Sequence, residues 1–450
     1  MIGKEKLFST FENVVKSSKA DETEITFVGN ETGLTRFANS TIHQNVNETN
    51  AQVLIRTVIG KKIGVASTNS IALNDLKATL KNSLEIAKFQ RDNKYFDGLP
   101  GPAEYAKINT YFENTADYKP KDRARQVKRI FVRGNRRKYT MAGAFSTGEG
   151  EVAVFNTKGV RCYQPLTGSS INIIAMSKNS SGYASGTSRD VNNIDPVALA
   201  DIAVEKARLS KYPKKIKPGD YEVILEPSAI AEAFEWLNYV GFNSRAFMEK
   251  RSFLAENIGK KIMHESITIF DDGNDPSGIA LPFDFEGVPK KKVYFVDKGV
   301  GKGVVWDRLT GKKHGVPSTG HALTADNHGE GAIGLNIFIG TGDKTEEEMI
   351  SSVERGILVT RFHYVNGLID PPKAVLTGMT RDGTFLIENG QIKHGIKNLR
   401  FTDSMLRAFS TVKGISKERK LVPSWWDAVG CIAAPTIHLG SLKFTGTTDF

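Results

Sequence analysis

Twice within its first 215 residues the chain switches from a helical hydrophobic period to a period of two and back again. Residues 4–19 place Leu7, Phe8, Phe11, Val14 and Val15 at i, i+3, i+4 spacing, which predicts a short amphipathic helix. EITFVG, LTRFANSTIHQNV and AQVLIRTVIGKKIGVAS then alternate or run β-branched, with turns expected at Gly29-Asn30 and Gly60-Lys61. Ile71 to Phe89 returns to a helix, with Leu76, Leu80, Leu84 and Ala87 on one face and Ser70 or Asn69 as its cap. Residues 91–119 hold Gly-Leu-Pro-Gly-Pro and no period, so they read as a long connection. A second round follows: a helix over 121–134, strands at 139–147, 150–157, 159–164 and 169–178, and a helix from Asp195-Pro196 to Lys211. Helix, meander, helix, repeated, reads as a degenerate structural duplication with no residue-level repeat.

Lys214 to Asp220 is polar punctuation, which divides the chain into an N-terminal α+β domain (1–215) and a β-rich C-terminal domain (216–450). YEVILEP predicts a buried strand and Ser228 to Tyr239 a helix. LPFDFEGVP, KKVYFVDKGVGKGVVWD, AIGLNIFIG, KAVLTGM, GTFLIENGQIKHGI and PTIHLGSLKFTG read as mostly antiparallel strands, with Asn389-Gly390 as a hairpin turn. Thr345 followed by Glu348 opens a helix to Gly356 with a capping box. The fold class is α+β.

At 40% hydrophobic and 25% charged residues, 450 residues bury a real core and divide into domains. The net charge of +11 permits an anionic partner but is too dilute for a dedicated nucleic-acid module. Cys162 and Cys431 are the only cysteines, which excludes a disulfide framework or a Cys-rich zinc module and favours the cytoplasm. The N-terminus shows no signal-peptide pattern, and no window approaches 18 apolar residues, so no membrane span is expected.

Eight histidines are available as ligands or bases. His314, His321 and His328 sit seven apart in HGVPSTGHALTADNHGE, where a metal site is the functional reading. That spacing does not converge on regular structure, so loop histidines are the simpler reading. His264-Glu265 starts an HExxH-like string, but HESIT has no second imidazole. The glycines from Gly299 to Gly303 mimic a phosphate cradle, yet no helix follows and a hairpin turn fits better. Lys121 to Lys138 carries nine cations against Asp122. It lacks an aromatic platform beyond Phe131, so a solvated helix face outweighs a nucleic-acid stripe. Lys290-Lys291-Lys292 reads as a charged strand start, and Trp425-Trp426 as a partner contact or core packing.

TRFANSTIHQNV and VLIRTVIGKKIGVASTNSI, then PFDFEGVPKKKVYFVDKGV, STGHA at 318–322 and FLIENGQI, carry a resemblance over essentially the whole chain. In that order they resemble the TldD/PmbA family, long labelled gyrase modulators and associated with proteolysis and peptide maturation. STGHA resembles the PmbA-like, or TldE, branch. TldD-like members carry H-E-x-x-x-H after a strand resembling YEVILEP; its histidines bind zinc with a further thiolate and its Glu activates water. Histidines five apart stand about 140° apart on a regular α-helix, so such a site needs a distorted turn. Here Phe234 and Tyr239 match the histidine positions and Glu235 the base. Cys431 lies near the thiolate region, although WDAVGCIAAP departs from the family pattern. No histidine lies between His43 and His264, so a shifted match restores nothing.

The resemblance therefore implies a non-catalytic, TldE-like subunit with no catalytic residue, metal or cofactor of its own. It implies a heterodimer with a TldD-like catalytic chain and a role in gathering unfolded peptide, for which sheet edges in the C-terminal domain suit backbone pairing. A homodimer stays open for the isolated chain; nucleic acid and membrane are not expected partners. One alternative is an active metallopeptidase with atypical ligands drawn from Glu232, Glu235, Cys431 and a loop histidine such as His321. The other is a DNA- or gyrase-binding regulator using the basic run, whose affinity would fall with salt and with charge reversal at Arg129, Arg133 and Arg137.

Overall fold

The two rounds of helix and meander meet edge to edge. The computed structural model describes residues 1–425 and 429–448. The first round is α1 (Lys4–Val15), β1 (Glu22–Ala38), β2 (Thr41–Ile59), β3 (Lys62–Thr68) and α2 (Leu73–Phe89). After the one-turn α3 (Glu113–Ala116), the second is α4 (Pro120–Arg136), β4 (Thr140–Asn156), β5 (Arg161–Ser177), β6 (Ser180–Ser188) and α5 (Pro196–Leu209). All six strands form one antiparallel sheet in the order β3-β2-β1-β4-β5-β6, so β1 and β4 join the two meanders at its centre. Alternation along each strand decides its faces. Ile25, Phe27, Ala153 and Phe155 pack under α1 and α2. Phe145, Ile171 and Ile173 pack under α4 and α5. On the opposite face Val152, Val154 and Cys162 meet Leu281, Phe283 and Phe285 from the second half of the chain.

Several expected breaks do not occur. Gly29 and Asn30 stay extended, held on one side by Ala51 and Asn50 and on the other by Glu151 and Gly150. The reversal falls at Asn39 and Ser40, both at φ 52, the left-handed pair a two-residue hairpin requires. β4 and β5 likewise run unbroken through 147–150 and 164–169. Ladder hydrogen bonds on both sides outweigh the local turn signal of Gly. At Gly148 a Cβ would lie 2.4 Å from the Glu31 carbonyl, so the glycine serves a close strand approach and not a turn. β6 and the separate α3 were not foreseen. The α2 N-cap position is Ala72; Ser70 instead accepts the Ala72 N–H at 3.2 Å and donates to Asp75 at 2.6 Å.

The second half contains β7 (Gly219–Leu225), α6 (Pro227–Leu237), a π-helical turn (Asn238–Phe242) and α7 (Ser244–Met248). Next come β8 (Ile269–Asp271), β9 (Val293–Asp297), β10 (Val300–Gly301), α8 (Arg308–His314), β11 (Asn336–Ile339) and α9 (Glu346–Ser351). The remainder is β12 (Arg355–Asp370), β13 (Val375–Glu388), β14 (Gln391–Gly395), β15 (Leu399–Ser404), α10 (Met405–Phe409), β16 (Val412–Pro423) and β17 (Cys431–Thr447). One mixed sheet follows the path β10-β9-β8-β11-β17-β15-β13-β12-β7, with β14 on β13 and β16 on β17. β7 also pairs with β17, closing β17, β15, β13, β12 and β7 into a ring. Among the described residues, the strand pairs β11–β17 and β12–β7 are parallel and the other strand pairs antiparallel. LPFDFEGVP is a loop and not a strand. The Asp284 carboxylate draws in the N–H groups of Glu286, Val288 and Ala322, each at 2.9 Å, so the backbone turns there. Among the described residues no helix is long and apolar enough to cross a membrane.

Candidate functional site

Glu226 and Pro227 open α6, a proline-first start. From Ala229 to Leu237 every side chain except Glu232 is buried, Glu235 among them, so this helix lies within the core between β12 and β17. The distorted turn that a five-residue spacing calls for is present: the α-helix ends at Leu237 and the π turn begins at Asn238. Asn238 donates to the Gly334 carbonyl at 2.9 Å and so ties that turn to the start of β11. Phe234 is fully buried, edge to face on Phe409 with ring centres 5.1 Å apart. The Tyr239 hydroxyl donates to Glu330 at 3.3 Å, and burial raises its pKa. Glu235 is buried within electrostatic reach of Cys431.

A chain of hydrogen bonds runs behind the helix. The Cys431 thiol donates to Asn336 Oδ1 at 3.0 Å and accepts from the Ile279 N–H at 3.3 Å. The Asn336 N–H reaches Asp271 at 2.8 Å, and the other Asp271 oxygen faces His321 Nε2 at 2.8 Å. His321 and Asp271 are both wholly enclosed. Burial lowers the His321 pKa, so we assign it a neutral imidazole with its Nε2 proton on Asp271. Burial also pushes the Cys431 thiol up to about 12, helped by the negative charges of Asp271 and Glu235.

Zinc takes thiolate, imidazole and carboxylate ligands. Phe234 has no donor atom, Tyr239 is turned to Glu330, and the Cys431 proton is held on Asn336. The residues at these positions do not fit a zinc ion. Of the atypical-ligand set, Glu235 and Cys431 are neighbours, and His321 is spoken for by Asp271. Glu232 is half-buried; burial raises its pKa against the lowering effect of Arg361. Among the described residues no group of three His, Cys, Asp or Glu side chains is placed to hold a metal ion. His314, His321 and His328 do not converge: His314 stacks on Trp306 at 4.7 Å and His328 lies 3.3 Å from Arg56.

The strongest charge cluster escaped sequence reasoning. Arg56 on β2 is buried where the two sheets meet, 2.8 Å from Glu24 on β1 and 3.0 Å from Glu286 in the loop that follows Asp284. Burial pushes Glu24 up to about 7 and Asp284, beside Glu286, also to about 7. Burial works to raise Glu286 too, but Arg56 and His328 hold it below the usual range. The available signal was the alternation of β1, which sets Glu24 and Thr26 on the face opposite Ile25 and Phe27.

The other singled-out residues have separate places. In α4, Arg123 points inward to Thr35 and Thr147, and Arg133 pairs with Asp201, so the basic run is not one uniform surface. Its remaining cations, including Arg129 and Arg137, are exposed. Lys298 and Gly299 make the β9–β10 turn, both at positive φ. His264 is a loop residue bonded to Ser266 at 2.8 Å. Lys290 is buried, and Lys292 lies over the Phe270 ring at 3.9 Å. Trp425 is half-exposed, its ring 5.7 Å from Trp236; Trp426 lies outside the described residues.

Residues 23–87 match the family model described as PmbA/TldA metallopeptidase domain 1. Residues 111–211 match its central domain and 218–446 its C-terminal domain. A metalloprotease TldD homolog of Buchnera aphidicola (from Acyrthosiphon pisum) is 24% identical over 412 residues, 85% of this chain and 82% of that one. A metalloprotease of Methanothermobacter thermautotrophicus is 25% identical over 203 residues, 45% of this chain and 44% of the relative. Among solved structures, TldE from Thermococcus kodakarensis superposes with a TM-score of 0.89 at 23% identity, covering 97% of this chain and all of the other, which shows the shared fold. With all three domain models matched in order, the chain belongs to the PmbA/TldD metallopeptidase family.

Proposed function

We propose that this chain is a non-catalytic, TldE-like partner of a TldD-like metallopeptidase, and that it helps gather unfolded peptide for that partner. The observation that carries the reading is Phe234: a wholly buried, ring-packed side chain occupies the position matched to a zinc-binding histidine. Without an imidazole there, Glu235 has no metal-bound water to activate. The π turn that follows is the local geometry such a motif requires, which supports reading the segment as a metal-binding turn that has lost its ligands. In the same proposal residues 1–215 and 216–450 act as two domains. The chain works in the cytoplasm, a reading supported by Cys162 and Cys431 both being free thiols.

Elemental analysis and a generic peptidase assay on the purified chain test the first part. The expected result is no stoichiometric zinc and no cleavage; one zinc per chain with chelator-sensitive cleavage overturns it. Pull-down with a TldD-like chain from the same genome tests the pairing, and absence of association at micromolar concentration refutes it.

A further inference from the structure

A recess of about 720 Å3 opens between the β5–β6 turn of the first sheet and strands β12 and β13 of the second. Clefts of that size between domains are where small ligands and chain ends are commonly held. Its lining is built by a fault in the ladder. Val359 faces Thr384, but two residues on, Arg361 faces Arg381, so β13 carries one residue more than β12. The extra length is taken up at Asp382 and Gly383, at φ 52 and 130. A Cβ at Gly383 would come within 2.5 Å of Thr360 Oγ1, so the bulge needs its glycine.

The bulge sorts the charges. Asp382 is turned inward, where Arg361 Nε donates to it at 3.0 Å. The same Arg361 guanidinium lies 4.5 Å over the ring of Tyr183 on β6, so both sheets hold this pair. Asp382, the single acid among the lining residues, is thereby neutralised. Arg381 is turned outward and is half-exposed, 3.8 Å from Asp382. Lys178 stands exposed on the turn opposite. His363, half-buried on the same wall, is lowered by burial and then by Arg381 and Arg361, against the raising effect of Asp382. Met176, Met379 and Tyr212 supply the apolar part of the wall.

We propose that this recess binds the C-terminal end of an extended peptide, with the Arg381 guanidinium taking the terminal carboxylate and Lys178 facing it across the cleft. A planar guanidinium fork matches a carboxylate through two parallel N–H bonds, and the methionines and Tyr212 suit the last side chain. The inference deepens the reading that the chain gathers peptide and rests on that reading, but it concerns a place on this chain lined by no residue of α6 and independent of any partner.

The test uses the isolated full chain, calorimetry, and acetyl-Ala-Leu-Ala as free acid and as amide, with inorganic phosphate as a third probe. The acid should bind at least about tenfold more tightly than the amide, a difference of about 1.4 kcal/mol. Arg381→Gln should lose at least about tenfold in acid affinity with an unchanged melting temperature, and Lys178→Gln should weaken binding less. The His363 ring proton signals should report a raised pKa in the complex, because a bound anion favours imidazolium. Equal binding of acid and amide, no binding of the acid at millimolar concentration, full affinity in Arg381→Gln, or phosphate binding as tight as the peptide acid each overturns the proposal. Failure here with intact pull-down leaves the subunit pairing standing; peptide binding with failed pull-down does the reverse.

Discussion

Arg56→Met strips the junction between the two sheets of the cation that holds two buried carboxylates. Glu24 and Glu286 sit 2.8 and 3.0 Å from that guanidinium, with side chains 1% and 4% exposed, so water does not replace it. Removing one partner of a buried ion pair costs about 3–5 kcal/mol. The loss should fall on the transition that parts the two sheets, and calorimetry resolves it from the rest of the unfolding. Acid should soften it. With the Arg56 guanidinium gone, both carboxylates bind protons more readily in the folded mutant than in the folded wild type. Each extra proton recovers up to about 1.4 kcal/mol per pH unit. The penalty should therefore shrink between pH 8 and pH 5.5. The triple change Glu24→Gln, Arg56→Met, Glu286→Gln should regain most of the stability, because no unpaired buried charge remains. A single-mutant loss below about 1 kcal/mol, a penalty flat with pH, or a triple variant no better than the single one refutes the reasoning.

Phe234→Ala should cost about 3–5 kcal/mol in urea unfolding, the price of deleting an enclosed ring, with zinc content unchanged. Glu24 holds a proton in the folded chain up to about pH 7, whereas the unfolded chain releases it near pH 4.5. Its contribution to stability therefore falls as pH rises through that window, and Glu24→Gln should remove a slope of up to one proton from the pH–stability curve. Cys162 and Cys431, both buried and both pushed up to about 12, should resist a thiol reagent at pH 8 and react fully in denaturant; rapid labelling of the native chain would contradict their burial. Arg129→Glu on the exposed side of α4 and Arg137→Glu just past its end should change stability by less than about 0.5 kcal/mol and leave the pull-down intact.

The period switches revealed the helices and the twofold plan of the first half because each strand alternates against a single helical layer. They failed at Gly29-Asn30 and at Gly148, where pairing on both sides holds glycine extended. β12 also went unread: between His363, which faces Met379, and Asn366, which faces Thr377, it carries one residue more than β13, with Tyr364 at φ 51, and this fault blurs the alternation. At the candidate site, the resemblance implied that an H-E-x-x-x-H zinc site needs a distorted turn, and a π turn stands at Asn238–Phe242 in the matching segment. The bonds behind it did not follow, because Cys431 meets Asn336 across 95 residues and His321 meets Asp271 across 50, and no local pattern encodes such pairs. Arg56 was hidden for the same reason: its partner Glu286 is 230 positions away.

The central seam between β1 and β4 sets an order of events during synthesis. β1 is complete at Ala38, but its second neighbour starts only at Thr140, so a nascent chain exposes one long unpaired flank while a hundred further residues are made. Such a flank templates aggregation. β2 and β3 build on the other side of β1, and residues 90–119, with their prolines and the single-turn α3, carry no strand that could seal the open flank early. Ribosome-stalled fragments ending between these two strands are accordingly the ones to depend most on chaperones, and those ending beyond Asn156 the first to be released from them.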